Sequence, residues 1–314
     1  MVQVDLITGF LGAGKTTFLR RYVRYLVEQG HNVCILENDF GAVNVDAMLV
    51  QDLLGPRCDL ETISGGCDCD THQRRMRTKL IAMAMRGFDR VVVEPSGIFD
   101  VDEFFDVLRD DPLDRWYQVG NVIAIVDAML PETLSPQAEY LLASETANAG
   151  RVLLSRTRQA GQAQTAAAAA HLTRALEGCK CSRRFAPEEI LTKDWAQLTE
   201  ADLAALASCG YRQASCEKLH FDEHEAFSSL CFLEQHLTLQ QLQAAADRLF
   251  ADAACGHVLR VKGFAPDPQG TTGWLELNAT AAGKTLAPIP QGQDVLIVIG
   301  EGLDKAAIEA RLKA

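Results

Sequence analysis

Polar and apolar residues alternate from Val2 and turn apolar toward Thr8, where Gly9 ends the run; Lys15 to Glu28 then carries helical spacing closed by Gly30. That order predicts a strand, a glycine-rich loop and a helix. Short apolar runs recur at Val33–Leu36, Val91–Val93, Val122–Val126 and Val152–Leu154, separated by helical stretches. Near-continuous β-branched runs of this kind predict parallel strands covered on both faces, an α/β doubly wound, mostly parallel sheet. Gln159 to Leu176 is alanine-rich and predicts one helix stopped near Gly178. From about residue 215 the pattern changes. Phe227–Phe232, Gly256–Gly263, Gly273–Leu277 and Val295–Ile299 predict strands around a helix over Thr238–Ala254. The expected organisation is a nucleotide-binding domain over residues 1–214 and a small C-terminal α+β domain over 215–314.

The chain has 314 residues, 48% of them hydrophobic, which supports a large core. Its formal charge of −12 argues against a broad electrostatic grip on nucleic acid or anionic lipid, so neither is expected as a partner. Ten cysteines accompany an N-terminus without the basic region, apolar segment and cleavage site of a signal peptide. The resulting expectation is a cytoplasmic protein whose thiols are reduced. No apolar run is long enough for a spanning helix.

Gly9-Phe10-Leu11-Gly12-Ala13-Gly14-Lys15-Thr16-Thr17 fits G-x-x-x-x-G-K-[ST] between the first strand and the first helix. Backbone N–H groups in such a loop wrap phosphates at the positive end of a helix. Lys15 is placed to hold the β and γ phosphates and Thr16 to ligate Mg²⁺. The cofactor set read from this segment is Gly9, Gly12, Ala13, Gly14, Lys15, Thr16 and Thr17, with Ser155 and Arg156 near the base. Glu94 ends a later strand and is the expected acid near Mg²⁺; Asp127, ending the next strand, competes for that role. Pro95-Ser96-Gly97 after Glu94 predicts a turn that brings backbone donors toward the γ-phosphate.

Together with Glu37-Asn38-Asp39-Phe40-Gly41, Gly65-Gly66-Cys67-Asp68-Cys69, Glu94-Pro95-Ser96-Gly97 and Val126-Asp127-Ala128, the loop gives a chain that resembles the CobW-type P-loop GTPases, relatives of the HypB and UreG nickel-enzyme maturation proteins. Arg260-Val261-Lys262-Gly263-Phe264 and Val298-Ile299-Gly300 resemble that family's C-terminal domain. The resemblance implies a slow, Mg-dependent GTPase acting as a metallochaperone or metal insertase, with a client metalloprotein as partner. It also implies a switch at Glu37 to Gly41, with Glu37 and Asp39 as the carboxylates near metal or Mg²⁺. Lys15, Thr16, Asp39 and Glu94 form the implied catalytic set.

Two departures stand out. Where the family has Cys-x-Cys-Cys, this chain has Cys67-Asp68-Cys69-Asp70, with His72 beyond. Two thiolates with Asp70 or His72, and Glu37 approaching from the switch, still make a mixed site for Zn²⁺ or Co²⁺. Where the family reads guanine with the aspartate of Asn-Lys-x-Asp, this chain has Ser155-Arg156-Thr157-Arg158. Arginine only donates, so Arg158 cannot accept guanine's N–H bonds, at a cost of roughly 1–3 kcal/mol. Weak discrimination between GTP and ATP follows, within about tenfold, and Arg156 is left to stack on a purine face.

A second thiol pair, Cys179 and Cys181, reads as exposed loop cysteines, and His220 and His224 as linker histidines. Two other functions fit the same loop: an ATP-dependent phosphoryl transferase or ligase, and a nucleotide-binding regulator without turnover.

Overall fold

The computed structural model describes residues 1–39, 49–64, 69–97, 101–217, 227–270, 273–281, 283–289 and 292–313, and at 38, 39, 64 and 69–72 it describes the backbone alone. The described residues fall into two compact units, the first reaching residue 217 and the second starting at residue 227.

In the first unit, β1 (Val2–Thr8), β2 (Val33–Asp39), β3 (Cys58–Ser64), β4 (Arg90–Glu94), β5 (Tyr117–Asp127), β6 (Arg151–Ser155) and β7 (Ile190–Leu191) form one sheet in the order β3-β2-β4-β1-β5-β6-β7. Every pairing is parallel. Both faces are buried, as the near-continuous apolar runs require. Ile7, Ile35, Val92, Ile123 and Leu153 face α1 (Lys15–Glu28) and the later α7 (Glu200–Leu206). On α1, Phe18, Leu19, Tyr22, Val23 and Leu26 make the buried stripe.

Val4, Leu36, Val93, Val122, Val126 and Leu154 face the opposite side. They pack with α2 (Cys69–Ala84), α3 (Val101–Arg109), α5 (Pro136–Ala147) and α6 (Thr157–Gly178); the short α4 is Leu113–Trp116. Each large apolar side chain so buried contributes roughly 1.5–3 kcal/mol.

α6 is interrupted where the sequence predicts a continuous helix. Gly161 has φ 71° and ψ 175°, a conformation outside the helical region that separates the first turn from the rest. The thiols also differ from the reduced, exposed reading. Cys181 is buried and disulfide-bonded to Cys216. Ser182 N–H donates to Ser215 O at 2.8 Å and Glu217 N–H to Cys179 O at 2.9 Å, so the returning chain lays Cys216 beside the end of α6. Linear spacing could not reveal that return. Cys179 is half-buried against the core, and burial raises its thiol pKa.

The second unit is an antiparallel sheet ordered β11-β10-β9-β12-β8, from β8 (Ser228–Leu233), β9 (His257–Pro266), β10 (Trp274–Thr280), β11 (Gly283–Ile289) and β12 (Val295–Glu301). One face packs Val261, Leu277, Leu296 and Val298 against α8 (Leu239–Ala251) and α9 (Lys305–Leu312). Thr238 and Gln241 close a capping box at the start of α8. No helix among the described residues is long and apolar enough to cross a membrane.

Candidate functional site

The carboxyl ends of parallel strands and the adjoining helix starts are where an open α/β sheet binds its ligand. There, β1 runs into the loop from Gly9 to Gly14, and α1 begins at Lys15. Gly9 has φ 138°, and a Cβ on it would lie 2.2 Å from Ile125 O; only glycine allows the loop to turn there. No acidic residue occupies the first turn of α1, so its free N–H groups and positive end face the loop. Lys15 is buried, and its Nζ donates to Gly9 O at 2.7 Å, curling the ammonium back over the loop.

Thr16 Oγ1 donates to Glu94 Oε1 at 2.8 Å, which brings the predicted pair into direct contact from α1 and the end of β4. The chain after Glu94 closes on the loop from above. A Cβ at Gly97 would stand 2.6 Å from Leu11 N and 2.9 Å from Lys15 Nζ, so this turn shares the cradle. Glu37 is buried and pairs in register with Glu94 across β2 and β4. Two carboxylates therefore stand side by side on neighbouring strands near the cradle. A hydroxyl, a carboxylate and an ammonium around a glycine-lined loop fit a magnesium nucleotide, the oxygen donors suiting a hard cation.

Asp127 does something else. Its Oδ2 accepts from Arg156 Nη1 and its Oδ1 from Met129 N–H at 2.9 Å. Burial raises its carboxyl pKa, an effect reduced by the Arg156 charge. Arg156, at φ 55° before α6, donates its other nitrogen to Gly12 O at 2.8 Å. The guanidinium thus braces the phosphate loop. Ser155 is buried beside Gly14, and its Oγ has no hydrogen-bond partner among the described residues. Ala13 is buried and donates its N–H to Phe10 O at 3.1 Å, holding the loop's turn, while Thr17 is exposed.

The thiol region is only partly described. Cys67 lies outside the described residues, as do Phe40 to Asp46, His220 and His224; Cys69, Asp70 and His72 fall in the first turn of α2, and Asp39 ends β2. Among the described residues no cluster of three or more metal-ligating side chains occurs.

Two features were not legible in the sequence. The Arg156 brace and Trp195 packed edge-on against Phe18 both depend on segments distant in sequence. Arg21 on α1 donates to the carbonyls of Trp195 and Leu198, the latter at 2.8 Å, and fastens that segment to the cradle's helix.

A parallel sheet, a glycine-lined anion cradle and a lysine, threonine and glutamate gathered on it define a P-loop nucleotide-binding protein. Residues 3–182 match the model of the CobW/HypB/UreG nucleotide-binding domain, and the chain belongs to that family. It is 32% identical over 173 residues to the zinc chaperone YjiA of Escherichia coli, covering 52% of each chain. To the zinc chaperone YeiR of the same organism it is 30% identical over 131 residues, 41% of this chain and 39% of YeiR. The chain thus spans about half the length, or less, of these curated relatives. Among solved structures, Zn(II)-bound YjiA GTPase from E. coli aligns over 99% of this chain and 98% of its own at 20% identity and a TM-score of 0.38. Nickel-bound HypB from Helicobacter pylori aligns over 65% of this chain and 82% of its own at 14% identity and a TM-score of 0.41.

Proposed function

We propose that the protein is a slow, Mg-dependent purine nucleoside triphosphatase that carries or inserts zinc or cobalt for a client metalloprotein. The observation that carries this reading is the pairing of Glu37 with Glu94 on adjacent strands while Glu94 receives the Thr16 hydroxyl. Lys15 leaves Gly9 O to hold the β and γ phosphates, and the loop's N–H groups take the remaining oxygens. Thr16 and Glu94 hold Mg²⁺, directly or through water. When bound, Mg²⁺ neutralises charge on the β and γ phosphoryl oxygens.

Glu37, with Cys67, Cys69 and Asp70, holds the transition metal that is the cargo, and Asp39 belongs to the same switch. A change at the γ-phosphate reaches Glu94 and Gly97 first and Glu37 one strand away, which gives nucleotide state a short physical route to metal affinity. The YjiA and YeiR names support the zinc assignment, and family membership supports GTP as the nucleotide.

Phosphate release by the purified protein tests this. Mg-GTP should turn over slowly, the rate should respond to Zn²⁺ or Co²⁺, and Lys15→Ala should lower it at least a hundredfold. Turnover that needs an added acceptor and ignores metal would replace the reading with a phosphoryl transferase.

A further inference from the structure

A groove of about 720 Å³ opens at the carboxyl ends of β6 and β7. Thr157, Arg158 and Gln162 from the start of α6 form one wall, and Thr192, Asp194 and Gln197 after β7 form the other. Both walls are tied to the phosphate cradle. The Trp195 ring lies 3.4 Å from where a Cβ on Gly14 would stand, and Arg156, one residue before Thr157, donates to Gly12 O. Ser155, with its buried hydroxyl that has no hydrogen-bond partner among the described residues, lies against the cradle, its Cβ 3.8 Å from the same point on Gly14. A nucleoside attached to phosphates on the cradle has this groove beside it.

Arg158 is exposed and makes no hydrogen bond or ion pair with the described residues, although Asp194 lines the same groove. Asp194 Oδ1 accepts from Ala196 N–H at 3.1 Å, which fixes the side chain and leaves Oδ2 without a hydrogen bond among the described residues. A guanidinium and a carboxylate that share a groove without pairing offer a forked donor and a two-oxygen acceptor. Guanine matches both, since N1–H and the 2-amino group are adjacent donors while O6 and N7 are adjacent acceptors. Adenine presents no two adjacent ring-edge donors to a carboxylate.

We propose that Asp194 reads guanine, accepting from N1–H and the 2-amino group, while Arg158 donates to O6 and N7. The acid absent from position 158 is thereby replaced from the opposite wall, and GTP is selected over ATP, contrary to the weak discrimination that Arg158 alone implied. This inference rests on the nucleotide-binding reading of the cradle.

The test is competitive displacement of a fluorescent GTP analogue from the full chain by GTP, ATP and xanthosine triphosphate. The unaltered protein should prefer GTP to ATP by more than tenfold. Asp194→Asn, whose amide keeps the acceptor for Ala196 N–H, should weaken GTP at least tenfold and strengthen xanthosine triphosphate, whose 2-oxo group accepts from the new amide. ATP affinity should stay unchanged, which shows the cradle and fold intact. Equal GTP and ATP affinities in the unaltered protein, or a GTP to xanthosine triphosphate ratio unmoved by Asp194→Asn, would overturn the assignment and leave the cradle standing. Failure of the unaltered protein to bind any triphosphate would overturn both.

Discussion

Asp5 ties together a buried polar network beneath the cradle. It is fully buried on β1 and accepts from Tyr22 Oη at 2.8 Å, Arg90 Nη1 at 2.6 Å, and Asn121 N–H and Nδ2 at 2.8 and 2.9 Å. Those partners come from α1, β4 and β5, the elements that aim Thr16, Glu94 and Ile125 at the site. Burial and the Asp5 charge both push the Tyr22 hydroxyl well above its usual pKa, so it stays a donor across the working pH range. Asp5→Ala would strand the nearly buried Arg90 guanidinium, and removing one partner of a buried pair costs about 3–5 kcal/mol. Urea unfolding should show a lowered midpoint at unchanged slope. A loss under about 1 kcal/mol would mean that Arg90 finds water or another acceptor.

At the scale of elements, Gly161 separates the opening turn of α6, which carries Arg158, from the long remainder of the helix. A Cβ there would meet nothing within 4 Å, so the cost of a side chain is conformational alone. At φ 71° and ψ 175° that cost is about 1–3 kcal/mol. Gly161→Ala should therefore lower the unfolding free energy by that amount, and a stabilised variant would show that the break is dispensable.

The break was not legible in the sequence because isolated glycine is tolerated in a helix, and the surrounding alanines favour one continuous element. β3 and β11 were missed for a related reason. Cys58–Ser64 carries Asp59 and Glu61, residues of low strand propensity, on the outer strand of its sheet, and Gly283–Ile289 holds glycine and proline on an exposed edge; in both places a strand is specified by its neighbour. The phosphate loop and Glu94 were legible because their chemistry is local to a strand end. Asp194 was not, since nothing in Thr192-Lys193-Asp194 reveals that its loop returns to Gly14. The bond from Cys181 to Cys216 is equally non-local and closes a sequence separation of 35 residues.

For the molecule as a whole, each unit has its own core, and the site residues described here belong to the first. A ligand that binds only the folded form stabilises it by about 2.7 kcal/mol at a hundredfold excess over its dissociation constant. For a unit of this size, 1 kcal/mol shifts the melting temperature by about 2–4 °C. Mg-GTP should therefore raise the first unit's calorimetric transition by about 5–10 °C and leave the second unit's transition in place. Lys15→Ala, with its ammonium gone from the cradle, should show no rise. Both transitions moving together would mean that the two units unfold as one cooperative block, so that energy from nucleotide binding reaches the antiparallel sheet as well. A shift confined to the first transition would keep that energy within the parallel sheet, where Glu94 and Glu37 lie one strand apart.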